Sequence, residues 1–201
     1  MSNWILNEYG AIGQSGMENN AIIIRDYFAL NGWSVNAISA LLGNMQPESG
    51  INPSRWENDD VGNLGGGFGL VQWTPATKLI NWIYNQYTLG LLPNDDYTDG
   101  DNQLARIQYE LENGLQYSPT TQFKENFTEW AVSNKKPGYL AAAFMKNYEK
   151  PLDQSWKVQM QRAKNARQWY IYLTGIDCGG WIPPGLIAVI KKSIDRQKGV
   201  L

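Results

Sequence analysis

"GNMQPESGINP", residues 43–53, sets one carboxylate, Glu48, where an apolar helical pattern breaks into a Pro and Gly turn. Upstream, Ser34 can cap a helix whose apolar positions Ile38, Leu41, Leu42 and Met45 form an i, i+3, i+4, i+7 stripe. Pro47 and Gly50 end that helix beside Glu48. The acid therefore stands at a helix C-terminus on the rim of a core. There the negative end of the backbone dipole and partial burial both disfavour a charge on a carboxyl. A carboxylic acid that keeps its proton near neutrality can give it to a leaving oxygen, as breaking a glycosidic bond requires.

Helical signals extend on both sides. Ser15 and Glu18 match a capping box, and Met17, Ala21, Ile24 and Phe28 predict a first helix over 16–30. Residues 50–73 change character: their many Gly, Asn and Asp residues predict turns and a small hairpin-like sheet. Thr74 and Pro75 then open a helix bearing Leu79, Ile80, Ile83 and Tyr87. Further helices are expected over 101–113, 121–133, 137–148 and 153–174, the last closed by Gly175. The fold class is α+β, mostly α. Residues 1–175 read as one domain and 176–201 as a C-terminal tail of unassigned role, in which a packing strand or helix ranks ahead of a docking peptide or a membrane-surface anchor. Its apolar run, Leu186–Ile190, is too short to span a bilayer.

Composition narrows the chemistry. The 201 residues are 43% hydrophobic, enough for one substantial core. A formal charge of −2 gives no global attraction to nucleic acid. The chain has no His, which excludes His-ligated zinc, Ser-His-Asp triads and Cys-His dyads. No metal or cofactor is called for, and carboxylates are left as the main acid/base groups. Cys178 is a single cysteine and cannot form an intramolecular disulfide, in keeping with synthesis in a reducing cytosol. "MSNWILNEYG" has neither a basic n-region nor a long apolar run, so no classical signal peptide is read there.

Taken alone, Glu48 would pass for an ordinary surface acid. Three ordered motifs change that: "PESGINP" at 47–53, "GFGLVQWTP" at 67–75 and "NYEKP" at 147–151. Together they resemble the phage tail lysozyme family, within the wider lysozyme and lytic transglycosylase group, over about residues 15–175. The resemblance implies a lysozyme-like fold in which Glu48 and Ser49 end a helix at one side of a sugar-binding cleft, with a small sheet as the opposite wall. It implies that Glu48 is the general acid for the bond between N-acetylmuramic acid and N-acetylglucosamine. Gln72 can bind an acetamido group or position a water, since its amide both donates and accepts. The glycines near it let the backbone approach a saccharide or allow a tight hairpin. Aromatic rings such as Trp56, Phe68, Trp73 and Tyr148 could stack on sugars, Trp73 and Tyr148 being favoured by their place in the motifs.

A hydrolase of this type commonly pairs its acid with a second carboxylate. Asp59 and Asp60 are the first choices to reach across from the sheet, Glu57 the third, against the plainer reading that "NDD" caps a turn. With neither Asp opposite Glu48, the reaction resembles that of a lytic transglycosylase, in which one Glu serves as acid and then base. Glu149 lies in the third motif with a structural role at least as apt. The expected partner is Gram-positive peptidoglycan, and the tail could meet other phage tail proteins. The expected setting is a phage virion tail acting on the host wall, the chain being made in the host cytoplasm. A non-catalytic glycan-binding or tail module is the competing class, and a wall amidase or peptidase lacks its usual His and Cys groups here.

Overall fold

The computed structural model describes residues 2–197, and side chains as far as residue 193. Helices α1 (Gly13–Leu30), α2 (Val35–Ser49), α3 (Thr77–Thr88), α4 (Gly100–Glu112), α5 (Phe127–Ala131), α6 (Pro137–Phe144), α7 (Trp156–Thr174) and α8 (Pro184–Gln197) follow in chain order. The central helix is α2, which packs on α7, α6 and α1. Both of its ends form as the residues dictate: the Ser34 hydroxyl accepts from the Ala37 amide, and Gly50 at φ 65° closes the C-terminus in the left-handed region. The helix continues through Pro47 to Ser49, so Glu48 occupies its last turn. Where α2 meets α7, a Cβ on Gly43 would come within 2.6 Å of the Ala166 nitrogen. That approach lets the two helices pack almost backbone to backbone.

The small sheet is not found. Among the described residues there is no strand, and residues 50–76 form a looped wall held by two isolated antiparallel bridges, Trp56 with Phe68 and Phe68 with Trp73. The backbone turns too often to build a ladder: Asn58, Asp59, Gly69 and Gln72 all have positive φ, and Glu57–Asp59 forms a 3-10 turn. Side chains do the pinning instead. Gln103 of α4 accepts from the Leu70 amide (2.9 Å) and donates to the carbonyls of Pro53 (2.7 Å) and Tyr97 (2.8 Å). From α2, the Ser49 hydroxyl donates to the Leu70 carbonyl (2.9 Å).

Other boundaries also differ from expectation. The Ser15 box does not form, because Glu18 accepts from Gln14 (2.7 Å) and α1 begins at Gly13. The helix expected over 121–133 shrinks to α5, which carries a true capping box of Asn126 and Glu129. The helix expected over 137–148 becomes α6 followed by a π-turn, Met145–Glu149, ended by Lys150 at φ 53°. The tail contains α8, and its start is tied to the body: Trp181 packs on Phe123 and Tyr139, and Arg167 pairs with Asp177. Residues 198–201, the end of the basic run, lie outside the described residues.

Candidate active site

One open cleft of about 610 Å³ gathers all three sequence motifs. The first contributes Glu48, the second Val71, Gln72 and Thr74, the third Glu149, Lys150 and Pro151, and Arg55 to Asn58 line it as well. The same motifs send other residues the opposite way. Phe68, Trp73 and Tyr148 are core residues. Trp73 (3.2 Å) and Tyr148 both donate to the buried carboxylate of Glu110, which also pairs with Arg106 (2.7 Å). The Phe68 ring packs on Trp56 and Tyr97, and Tyr148 stacks on Phe144. Their faces are covered by protein, so they position the cleft walls from behind and offer no platform to a sugar.

Glu48 is the partly open carboxylate of the cleft, its side chain 23% exposed. It does not stand alone against the helix dipole, as the sequence suggested. Arg162, reaching across from α7 with its side chain 6% exposed, pairs with Glu48 and donates through Nη1 to the Asn44 carbonyl (2.8 Å). A buried cation thus meets the C-terminal turn of α2, where the dipole favours it. The same Nη1 lies 3.0 Å from Oε2 of Glu149, whose side chain is 4% exposed. That is an ion contact without a hydrogen bond: neither Glu149 oxygen has a hydrogen-bond partner. Burial pushes the Glu149 carboxyl up to about 8; Arg162 pulls it down and Glu48 pushes it further up.

The two aspartates expected opposite Glu48 are engaged elsewhere. Asp59 takes a two-point ion pair from Arg55 (2.7 and 3.2 Å), and Asp60 accepts from Asn63 (2.9 Å). Neither is among the residues lining the cleft; Glu57, the third choice, is. Its Oε2 accepts from the Gly67 amide (2.8 Å), which fixes the carboxylate on the loop wall. Gln72 also lines the cleft, with its amide nitrogen spent on the carbonyls of Arg55 (3.1 Å) and Gly69 (3.0 Å). Its oxygen is left to accept from a ligand. Ser49 is buried and serves the α2-to-loop junction.

Arg162 and the position of Glu149 escaped the sequence reading, although one signal was present. Gln159, Arg162, Ala163, Ala166 and Trp169 lie at helical spacing on the buried stripe of α7. An arginine on such a stripe demands a buried acid as partner. No group of His, Cys, Asp and Glu able to hold a metal occurs among the described residues.

Residues 19–173 match a family model described as phage tail lysozyme. Over 159 residues the chain is 42% identical to "Morphogenesis protein 1" of Bacillus phage B103, an alignment covering 79% of this chain. The same alignment covers 40% of that relative, so the chain matches well under half of its length.

Proposed function

Because the chain belongs to the phage tail lysozyme family, we propose that it cleaves the glycosidic bond between N-acetylmuramic acid and N-acetylglucosamine in peptidoglycan, with Glu48 as general acid. The observation that carries the reading is the place of Glu48: a partly open carboxyl at the end of α2, inside the cleft on which all three family-like motifs converge. A carboxyl there can meet the glycosidic oxygen of a chain lying in the cleft. As the C1–O bond breaks, the Glu48 proton passes to the departing 4-oxygen. Glu57, anchored on the facing loop wall, takes a proton from the water that adds to C1, which completes hydrolysis. Gln72 offers its free amide oxygen to an acetamido N–H. The protein would act from a phage particle on the host wall, consistent with the morphogenesis name of its relative.

The alternative chemistry is transglycosylation, in which the 6-hydroxyl of the muramoyl residue attacks C1 and Glu48, now a base, takes its proton. Mass spectra of muropeptides released from purified Gram-positive peptidoglycan separate the two. The hydrolytic reading predicts reducing muramoyl ends from the parent, loss of about 10²–10⁴-fold in rate for Glu48→Gln, and a comparable loss for Glu57→Gln. Anhydro-muramoyl ends from a fully active Glu57→Gln would overturn the role of Glu57 and leave Glu48 as sole catalyst. Unimpaired release by Glu48→Gln would overturn the assignment of the acid.

A further inference from the structure

Glu149 is a buried carboxyl that the chemistry above does not use and that packing does not explain. Both of its oxygens are enclosed and have no hydrogen-bond partner among the described residues, although a carboxyl at this depth normally has several. It ends a π-turn, an irregularity that recurs at functional sites. It borders the cleft, and also a smaller polar cavity of about 140 Å³ shared with Gln72 and Gln116, large enough for water. Its close cation among the described residues, Arg162, is the same guanidinium that holds Glu48.

We propose that Glu48 and Glu149 hold a single proton between them across Arg162, so that the acid of the reaction is the pair and not Glu48 alone. The inference rests on Glu48 being the catalytic acid. With one cation, two carboxyls and one proton the triad is neutral, whichever carboxyl carries the proton. Taking the last proton from the pair would leave two anions on one buried guanidinium, at a steep cost in a dry site. In the free protein the proton resides on Glu149, which is dry, while Glu48, open to the cleft, keeps the ion pair. A saccharide in the cleft strips water from Glu48 and so disfavours its charge. The proton then leaves Glu149 for Glu48, and Arg162, already 3.0 Å from Glu149, stays with the new anion. After cleavage the pair has lost its proton to the leaving oxygen and Glu57 holds the one taken from water; exchange with solvent in the open cleft returns Glu57 to its anion and one proton to the pair.

Other charges around Glu149 do not replace this partner. Lys150, next in the chain, turns to the Gln116 carbonyl (3.2 Å) and Ser118 (3.3 Å). Glu110 and Arg106 of α4 are paired with each other and bonded to Tyr148. Arg55 of the loop is taken by Asp59, Glu57 by the Gly67 amide, and Lys78 of α3 borders the smaller cavity. Lys146 lies on the same π-turn. Arg162 and Glu48 are the charges that act on Glu149.

Two measurements on the full chain test the proposal. The first is a ¹³C NMR titration of the glutamate carboxyls in the parent, Glu48→Gln and Glu149→Gln. The Glu149 midpoint should lie near 8 in the parent and fall by about one pH unit or more in Glu48→Gln, where the like charge is gone. The second is the pH profile of kcat/KM on peptidoglycan. Its alkaline limb should move about one unit or more toward acid in Glu149→Gln, read as a roughly fivefold or greater relative loss at the parent's alkaline midpoint. A Glu149 midpoint unmoved by Glu48→Gln, or an unshifted alkaline limb in Glu149→Gln, would overturn the shared proton. If Glu149→Gln does not fold, the titration of the other two proteins decides alone. Full activity in Glu48→Gln sinks the catalytic assignment instead, an outcome the titration tells apart because it needs no turnover.

Discussion

Arg162 puts a full positive charge on a stripe of α7 otherwise made of Gln159, Ala163, Ala166 and Trp169. Its removal leaves Glu48, partly open to the cleft, and the buried Glu149 without their cation, and breaking a buried pair this way costs about 3–5 kcal/mol. Arg162→Met should lower the denaturant midpoint accordingly, with an unchanged slope. Glu149 makes a separate prediction. Its folded-state pKa is raised above the ordinary 4.5 to about 8, so the folded protein binds more protons than the unfolded chain between those values. The stability it confers is whole below the lower value and is lost as pH rises to the upper one. Unfolding free energy measured across that window should fall in the parent and stay flatter in Glu149→Gln. A parent that gains stability over the same window would contradict the protonated state of Glu149. Capping, stripe and turn are local signals that placed Glu48 at a helix end, the three ordered motifs singled it out, and Glu149 was named only as a member of one of them. The ion triad joins α2, the π-turn and α7, and no spacing rule links residues 48, 149 and 162.

At the level of elements, α2 was readable nearly residue by residue, since Ser34 and Gly50 act on their own neighbours. The hairpin was not. The glycines of 62–69 suggest a tight β-turn, but Asn58, Asp59 and Gln72 also adopt left-handed backbone, and those non-glycine positions interrupt any ladder. Glu57 faces the cleft and Asp59 and Asp60 do not, because the 3-10 turn redirects the chain between them. Aromatic residues misled in a related way. Trp73 and Tyr148 belong to cleft-forming segments, yet their polar tips meet at Glu110 inside the core. Gly43 offers the clearest test of helix packing. Gly43→Ala forces a methyl against the Ala166 backbone and should cost about 1–3 kcal/mol despite the better helix propensity of Ala. Thermal unfolding would show it, and a stabilised Gly43→Ala would mean that α2 and α7 are less tightly apposed.

On the scale of the whole molecule, four separated stretches of chain assemble one cleft around a helix end, and three of them are motifs that sequence alone picked out. Past residue 175, Asp177 pairs with Arg167 and Trp181 packs on Phe123 and Tyr139 before α8 begins. No helix among the described residues is long and apolar enough to cross a membrane. What unites these features is a cleft carboxyl, Glu48, held by the buried guanidinium of Arg162. The most direct test is the release of new reducing or anhydro ends from purified Gram-positive peptidoglycan by the parent and by Glu48→Gln, with binding to the same material measured in parallel. The account predicts that both proteins bind and that only the parent releases glycan ends; equal release by Glu48→Gln, or none by the parent, would contradict it.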